Sequence, residues 1–280
     1  MSLKSINLLF SIDNNFFEQL KTTLYSLRAN TPNTFFRVFV LQEKQFSWKN
    51  EFKSFCSALN MTYEPLILGT SRFKYAPINK RYPKTIYYRL LAQEYLPKDI
   101  KKVLYLDADI LCINNISAFY SLDLKNHLYA AASHSQLTNF TTVVNKVRLQ
   151  NYETEQYYNS GVLLINVTQA RRHIKYKDIY AFIQKKSATL LLPDQDILNS
   201  LYGNHILPLP DQIYNLDARK NLIYEMISNG TWNLDWIIKN TVFLHFCGKE
   251  KPWEENSKGK FVVLYKHYAH LANLTVVENN

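Results

Sequence analysis

Apolar positions along the first hundred residues switch between two spacings. "SINLLFSID" (5–13), "RVFVLQ" (37–42), "YEPLIL" (63–68) and "KKVLYLD" (101–107) are short apolar runs of strand type. Between them, "FFEQLKTTLYSLRAN" (16–30), "WKNEFKSFCSALN" (48–60) and "PKTIYYRLLAQEYLP" (83–97) repeat their apolar residues at helical spacing, the last with Pro at each end as a boundary signal. This alternation predicts an α/β fold with a mainly parallel central sheet covered by helices on both faces. The later half is less regular. Strands are expected at "LYAAAS" (128–133), "GVLLINV" (161–167) and "TVFLHF" (241–246), and helices at 169–187, 194–202 and 257–273. No internal repeat or low-complexity tract interrupts the pattern.

A chain of 280 residues, 47% of them hydrophobic, has enough apolar side chains for one large core. The expected organisation is one principal domain over 1–253 with residues 254–280 as a small helical annex. Cys56, Cys112 and Cys247 are far apart and form no CxxC pair, which suits a reducing compartment and gives no support to structural zinc. Met1 to Ser11 lacks the apolar stretch of a secretory signal, and no apolar run is long enough to cross a bilayer. A cytoplasmic location follows as an expectation. The net charge of +10 is compatible with simple solubility, an anionic substrate, an anionic membrane surface or nucleic acid. No nucleic-acid-binding motif accompanies the charge, so no nucleic-acid partner is expected.

Open sheets of this kind bind ligands beyond the carboxyl ends of their strands, where Asp13 and Asp107 stand. In extended chain, residues i and i+2 point the same way, so Asp107 and Asp109 converge while Ala108 leaves room between them. Two close carboxylates repel unless a cation joins them, and oxygen ligands suit Mg²⁺ or Mn²⁺. An Asp-x-Asp pair alone is weak, because acids at strand ends often only cap turns and Asp194-Gln195-Asp196 is a second copy. "VFLHFCGKEKPW" (242–253) strengthens the case. His245 at a strand end offers a nitrogen ligand and tilts the choice toward Mn²⁺. Gly248 lets backbone approach a ligand, and Lys251 is a point charge suited to phosphate. Together these residues outline a metal-diphosphate site.

Four segments in order resemble glycosyltransferase family 8, most of all its bacterial lipooligosaccharide and lipopolysaccharide galactosyltransferase members: "LYLDADIL", "YYNSGVLLIN", "LPDQDILN" and "HFCGKEKPW". The resemblance implies a Rossmann-like nucleotide-sugar fold of the GT-A type and retaining transfer of a hexose from a UDP-sugar to a saccharide or glycolipid acceptor. Galactose is the first choice of hexose and glucose the second. It implies Mn²⁺, with Mg²⁺ as the alternative, on Asp107, Asp109 and His245. Lys251 and the Gly248 backbone would hold the diphosphate, with Ala108 lining the donor site. Asp13 and Asn15 would meet uracil or ribose, and Phe16 would stack on the base where many relatives carry Tyr. Arg89 would contact the donor sugar or phosphate, and Asn159 and Ser160 would border the sugar beside Gly161. Asp194 would bind a sugar hydroxyl and Gln195 would lie near the anomeric carbon, the two forming the catalytic pair. Read without the family, Asp13 and the acids of "PDQDILNSLY" are ordinary helix-capping residues, and Arg89 a surface residue.

The acceptor side departs from the galactosyltransferase pattern, with His134 near the place of an acid and Tyr82 near that of a His. Residues 135–158 are either a lid over the donor or a connection. "SKGKFVVLYKHYAHLANL" (257–274) sets Lys258, Lys260 and Lys266 among Phe261, Tyr265 and Tyr268. A packing helix accounts for it, and the competing reading is peripheral contact with an anionic membrane at the inner face of the cytoplasmic membrane. A haloacid-dehalogenase-like phosphatase also carries Asp-x-Asp after a strand, but near its chain start and without Leu111 in the place where Thr or Val is usual. A non-catalytic UDP-sugar-binding module is the more serious rival.

Overall fold

The computed structural model describes residues 4–69, 73, 74, 76–78, 83–133 and 156–277. Its strands are β1 (Lys4–Ser11), β2 (Thr34–Gln42), β3 (Met61–Ile67), β4 (Lys102–Leu106), β5 (Ile110–Cys112), β6 (Tyr129–Ser133), β7 (Tyr158–Asn166), β8 (Ile206–Leu209), β9 (Leu216–Asp217) and β10 (Phe243–His245). The longer helices are α1 (Phe17–Asn30), α2 (Lys49–Ala58), α3 (Val167–His173), α4 (Tyr176–Lys186), α5 (Pro193–Tyr202), α6 (Asn221–Ile227), α7 (Leu234–Asn240) and α8 (Val262–Val277). Seven strands form the main sheet in the order β3-β2-β1-β4-β7-β6-β8, and β5-β10-β9 form a small second sheet. In the main sheet only β7 runs against the others, antiparallel to β4 and β6. The expected mainly parallel α/β fold is therefore present, with one reversed strand near its middle.

Alternation along each strand feeds two cores. Ile6, Leu8 and Phe10 of β1 pack with Val38, Val40, Leu104, Leu106 and the buried face of α1. Their neighbours Leu9, Phe39, Leu41, Val103 and Tyr105 pack on the other side with Tyr87, Leu91, Ile179 and Ile197. A strand buried on both faces has no polar face, which is why these runs read as continuous apolar sequence. A third cluster joins Leu111, Leu216, Leu244 and Phe246 to Phe261 and Tyr265 at the C-terminal helix.

Several expected elements are broken or shifted. The single helix over 83–97 is a helical turn at Thr85–Tyr88, a 3-10 turn at Arg89–Leu91 and another helical turn at Ala92–Tyr95. Tyr87 to Ala92 are all buried, so no solvent face remains for a regular amphipathic helix. The expected helix over 169–187 is two, because Ile174 is extended at φ −92°, ψ 120°. The C-terminal helix starts at Val262, after Gly259 turns the chain at φ +138°. β5, β8 and β9 are absent from the sequence reading, being only 3, 4 and 2 residues long.

On α8 the aromatic residues face inward. Phe261 and Tyr265 are buried, and the Tyr268 hydroxyl accepts a hydrogen bond from Asn30 Nδ2 of α1 at 2.9 Å. Large exposed aliphatics cluster on α6 and α7, at Leu222, Ile223, Met226, Ile227, Leu234 and Ile238, and α8 adds Val263 and Leu274. Among the described residues no helix is long and apolar enough to cross a membrane. His134, Tyr82 and residues 135–155 of the expected lid lie outside the described residues.

Candidate active site

The reversed strand brings the site together. Leu106 at the end of β4 pairs with Val162 near the start of β7, and the ladder continues one step as Asp107 N–H donates to the Gly161 carbonyl at 2.8 Å. The carboxyl end of β4 and the amino end of β7 thus share one edge of the cleft. Past Asp107 the chain turns into β5, which pairs antiparallel with β10 so that Ile110 stands opposite His245. Helix α1 fastens this turn. The Thr23 hydroxyl is 3.1 Å from the carbonyl of Ala108 and 2.8 Å from that of Ile110, and Ser26 Oγ accepts from Cys112 N–H at 3.0 Å. Ala108 itself is buried between the two acids.

Asp107, Asp109 and His245 each offer one ligand atom, and these atoms lie within 4.8 Å of one another. His245 Nε2 is 3.2 Å from Asp109 Oδ1 and 3.9 Å from Asp107 Oδ2. Asp109 Oδ1 is buried and takes part in no hydrogen bond, an orphan acceptor facing a ring nitrogen. Such a group demands positive charge. Burial would push the imidazole pKa down, but Cys247 and Asp109 outweigh it and draw the ring toward its protonated form. Burial likewise opposes ionisation of Asp109, yet His245 and Lys251 hold its pKa far below the usual carboxylate value. A divalent cation among two carboxylates and an imidazole meets the same demand, so the donor set fits one.

A row of amides links this triad to the Asp194–Gln195 turn, and its polarity can be read from one end. Gly161 N–H can only donate, and it bonds Asn159 Oδ1 at 2.8 Å. That fixes the Asn159 amide, whose Oδ1 also accepts from Asn215 Nδ2 at 2.8 Å. Asn215 must then turn its Oδ1 to His245 Nδ1, 2.8 Å away. In the neutral ring the proton therefore sits on Nδ1, which leaves Nε2, aimed at the two aspartates, as the atom that takes either a second proton or a metal ion. At the other end Asn159 Nδ2 and Ser160 N–H both donate to Gln195 Oε1, at 3.2 and 3.3 Å. Asn215 is fully buried. Sequence reading missed it.

Arg89 is the buried hub of the opposite wall rather than a surface residue. Its guanidinium reaches Asp107 Oδ1 at 2.9 Å and Asp194 Oδ2 at 3.3 Å, donates to the Ser160 carbonyl at 3.0 Å, and covers the Tyr105 ring at 4.5 Å. Tyr105 in turn donates to Asp107 Oδ1 at 2.7 Å. Ser160 Oγ donates to Asp194 at 2.9 Å. Burial raises the Asp194 pKa, with Arg89 opposing it. The two acids of the Asp-Gln-Asp turn have separate tasks. Asp196 accepts from Tyr157 OH and from the N–H groups of Leu191 and Leu192, and so ties down the chain just before α5, whereas Asp194 faces Arg89.

At the mouth, Asp13 accepts from Asn15 N–H at 2.8 Å, the capping use its sequence also suggested. Phe16 sets its ring edge to face with Trp253, centroids 6.3 Å apart, and Asn15 is exposed beside it. Lys251 Nζ bonds Asp109 Oδ2 at 2.6 Å and the Phe246 carbonyl at 2.9 Å. Gly248 takes φ +90°, a conformation that side chains resist. These contacts thus join Asp107, Asp109, His245, Lys251, Arg89, Asn159, Ser160, Asp194 and Gln195 into one connected group. Asp13, Asn15 and Phe16 meet it through Trp253, over which Lys251 Nζ lies; Tyr82 and His134 are outside the described residues. A separate cavity of about 300 Å³, lined by Lys101, Lys102, Lys125 and Asn166, contains none of them.

Comparison with known proteins agrees with this arrangement. The family described as glycosyl transferase family 8 matches residues 7–257. A lipopolysaccharide 1,2-glucosyltransferase of Escherichia coli is 26% identical over 272 residues, spanning 90% of this chain and 74% of the relative. A lipopolysaccharide 1,3-galactosyltransferase of Salmonella typhimurium is 25% identical over 255 residues, spanning 88% and 72%. Among solved structures, the galactosyltransferase LgtC in complex with donor and acceptor sugar analogs superposes with a TM-score of 0.80 at 23% identity, covering 95% of this chain and 96% of that one. At that identity the likeness establishes the shared fold.

Proposed function

Because this chain belongs to glycosyltransferase family 8, we propose that it is a retaining hexosyltransferase, passing a hexose from a UDP-sugar to a saccharide acceptor of lipooligosaccharide or lipopolysaccharide type. Galactose remains the first donor to test and glucose the second, since relatives of both kinds match at similar identity. The observation that carries the proposal is the triad Asp107, Asp109 and His245, converging within 4.8 Å around an orphaned carboxylate oxygen. These three would hold Mn²⁺, with Mg²⁺ the alternative. When bound, such an ion supplies Lewis-acid stabilisation of the charge on a departing diphosphate.

The chain's own residues do the rest. Asp13, Asn15 and Phe16 receive the uridine, Ala108 lines the donor site, and Gly248 and Lys251 face the diphosphate. Asn159, Ser160 and Asp194 border the hexose, with Arg89 behind them holding Asp107 and Asp194 in place. Gln195 lies nearest the anomeric carbon. Its Oε1 already accepts two hydrogen bonds, and a neutral amide so occupied is a poor nucleophile. This supports front-face substitution. The acceptor oxygen bonds the anomeric carbon on the side where the carbon–phosphate-oxygen bond breaks, the bonding pair leaves with UDP, and a phosphate oxygen takes the hydroxyl proton.

Peripheral contact with an anionic membrane completes the proposal, on a different surface from the one the sequence suggested. The six exposed aliphatics of α6 and α7 support it better than α8, which exposes only Val263 and Leu274 among its described large hydrophobics and spends its aromatics on the core.

The deciding experiment incubates the protein with a panel of UDP-hexoses, Mn²⁺ and a lipooligosaccharide acceptor, and measures UDP release and the glycosylated product. Release with one hexose, abolished by a chelator, is expected. UDP binding without release or transfer would make the chain a binding module. UDP affinity indifferent to the chelator would remove the metal from the reading.

A further inference from the structure

Besides the His245 imidazole, three basic side chains stand at the cleft among the described residues, and they differ in what their donors are doing. Arg89 spends Nε on the Ile86 carbonyl and both terminal nitrogens on Ser160, Asp107 and Asp194. Lys251 is committed to Asp109 and the Phe246 carbonyl. Arg219 is different. Only one edge of its guanidinium is engaged: Nε meets Asp217 Oδ1 at 2.9 Å and Nη2 meets Asp217 Oδ2 at 2.7 Å. Nη1 has no hydrogen-bond partner among the described residues, and the side chain is 46% exposed.

Its placement is set by the fold. Asp217 pairs with His245 across β9 and β10, so Arg219 leaves the sheet two residues beyond the imidazole's neighbour. The Asp217 carboxylate is buried and also accepts from Arg219 N–H at 3.1 Å, which braces the loop and the side chain at once. The guanidinium then lies across Gly248, where a Cβ would come 2.1 Å from Nη1 and 3.0 Å from Cζ. Glycine at 248 thus leaves room for this arginine as well as allowing the backbone turn. A fork held rigidly along one edge, with its other edge open beside a glycine of the cleft, is the arrangement that recognises planar or tetrahedral oxyanions.

We propose that Arg219, braced by Asp217 across Gly248, is an oxyanion-binding residue of this cleft that takes a phosphate or carboxylate oxygen on its free Nη1 edge. The inference rests on reading the cleft as a sugar-nucleotide site. Two sources share the chemistry: the diphosphate of the donor, or an acidic group on the acceptor saccharide.

Calorimetry on the full chain with Mn²⁺ separates them, using UDP, uridine and inorganic phosphate as probes. The variants are Arg219→Gln, which removes the charge, and Arg219→Lys, which keeps the ion pair with Asp217 but loses the second edge. If the donor diphosphate is the ligand, UDP affinity falls about tenfold or more in both variants while uridine affinity stays within about twofold. If the acceptor supplies the anion, UDP affinity is unchanged, and inorganic phosphate binds the UDP-loaded wild-type protein but not the variants. The lysine variant guards against misfolding around an unpaired Asp217, with thermal melting as the control. Variants that bind UDP and phosphate as the wild type does, or a UDP-loaded wild type that binds no phosphate while the variants keep full UDP affinity, would overturn the inference alone. A wild-type protein that binds no UDP overturns the nucleotide reading, and this one with it, before any variant is made.

Discussion

Asn215 lies 30 residues from the imidazole it orients and 56 from the amide it meets, and nothing in the chain around it marks it. Replacing it with Leu frees the His245 ring to choose its tautomer and leaves Asn159 Oδ1 only its bond from Gly161 N–H. Mn²⁺ affinity, followed by calorimetric titration, should fall about 10- to 100-fold, the usual cost of losing a residue that orients a metal ligand. Asn215→Asp keeps an acceptor for Nδ1 but sets an anion against Asn159 Oδ1, so metal affinity should hold while turnover drops. Unchanged Mn²⁺ affinity in the Leu variant would dismiss the role. Gln195→Ala should lower turnover on the order of 10²-fold without abolishing it, if front-face substitution operates. Complete loss with UDP binding intact would instead mark an obligate nucleophile. Asp107 and His245 were legible because each stands at the end of an apolar strand, and Asp109 because it follows Asp107 by two residues. Asp194 and Asp196 could be found but not apportioned, since capping and ligand contact use the same residue type at the same helix start.

Among elements, the approach of β7 to β4 leaves no room for a side chain. A methyl group at Gly161 would stand 2.4 Å from His245 Cε1 and 2.8 Å from Asp107 Oδ2. Neither neighbour can retreat, because one is held by β10 and the other by the β4 ladder. Gly161→Ala should therefore lose Mn²⁺ affinity and cost about 1–3 kcal/mol of stability, read by titration and by chemical denaturation. A protein that melts and binds metal as before would show the strands less rigid than argued. Periodicity revealed the strands of the main sheet well, since burial on both faces leaves an unmistakable apolar run. It failed where burial was continuous in a helical stretch. Tyr87 to Ala92 carry a helical pattern, but their packing breaks the helix at Arg89 and turns that side chain into the cleft. Nor could it show that β10 leaves the main sheet, because pairing with a three-residue β5 has no signature in either segment.

At the scale of the molecule, the C-terminal segment packs Phe261 and Tyr265 into one cluster with Leu111, Leu244 and Phe246 beside the cleft. A chain ending at residue 253 should lose its cooperative thermal transition, because it leaves that cluster open to water. A shortened protein with an unshifted melting point would make the annex independent. The exposed aliphatics of α6 and α7 give a second check. Flotation with anionic liposomes at low salt should carry the wild type upward, and Met226→Glu with Leu222→Glu should leave it below; a wild type that stays below would end the membrane proposal. The spread of the cleft along the chain also bears on its birth at the ribosome. Arg89, Asp107 and Asp194 can gather while the last quarter of the message is still untranslated, so two of the acids find a counter-charge early. Asp109 cannot: its partners His245 and Lys251 are among the last residues made. Premature termination between Leu209, where the main sheet is complete, and His245 would release a polypeptide with a finished main sheet and an unneutralised carboxylate at its centre, a marked product for proteolytic clearance.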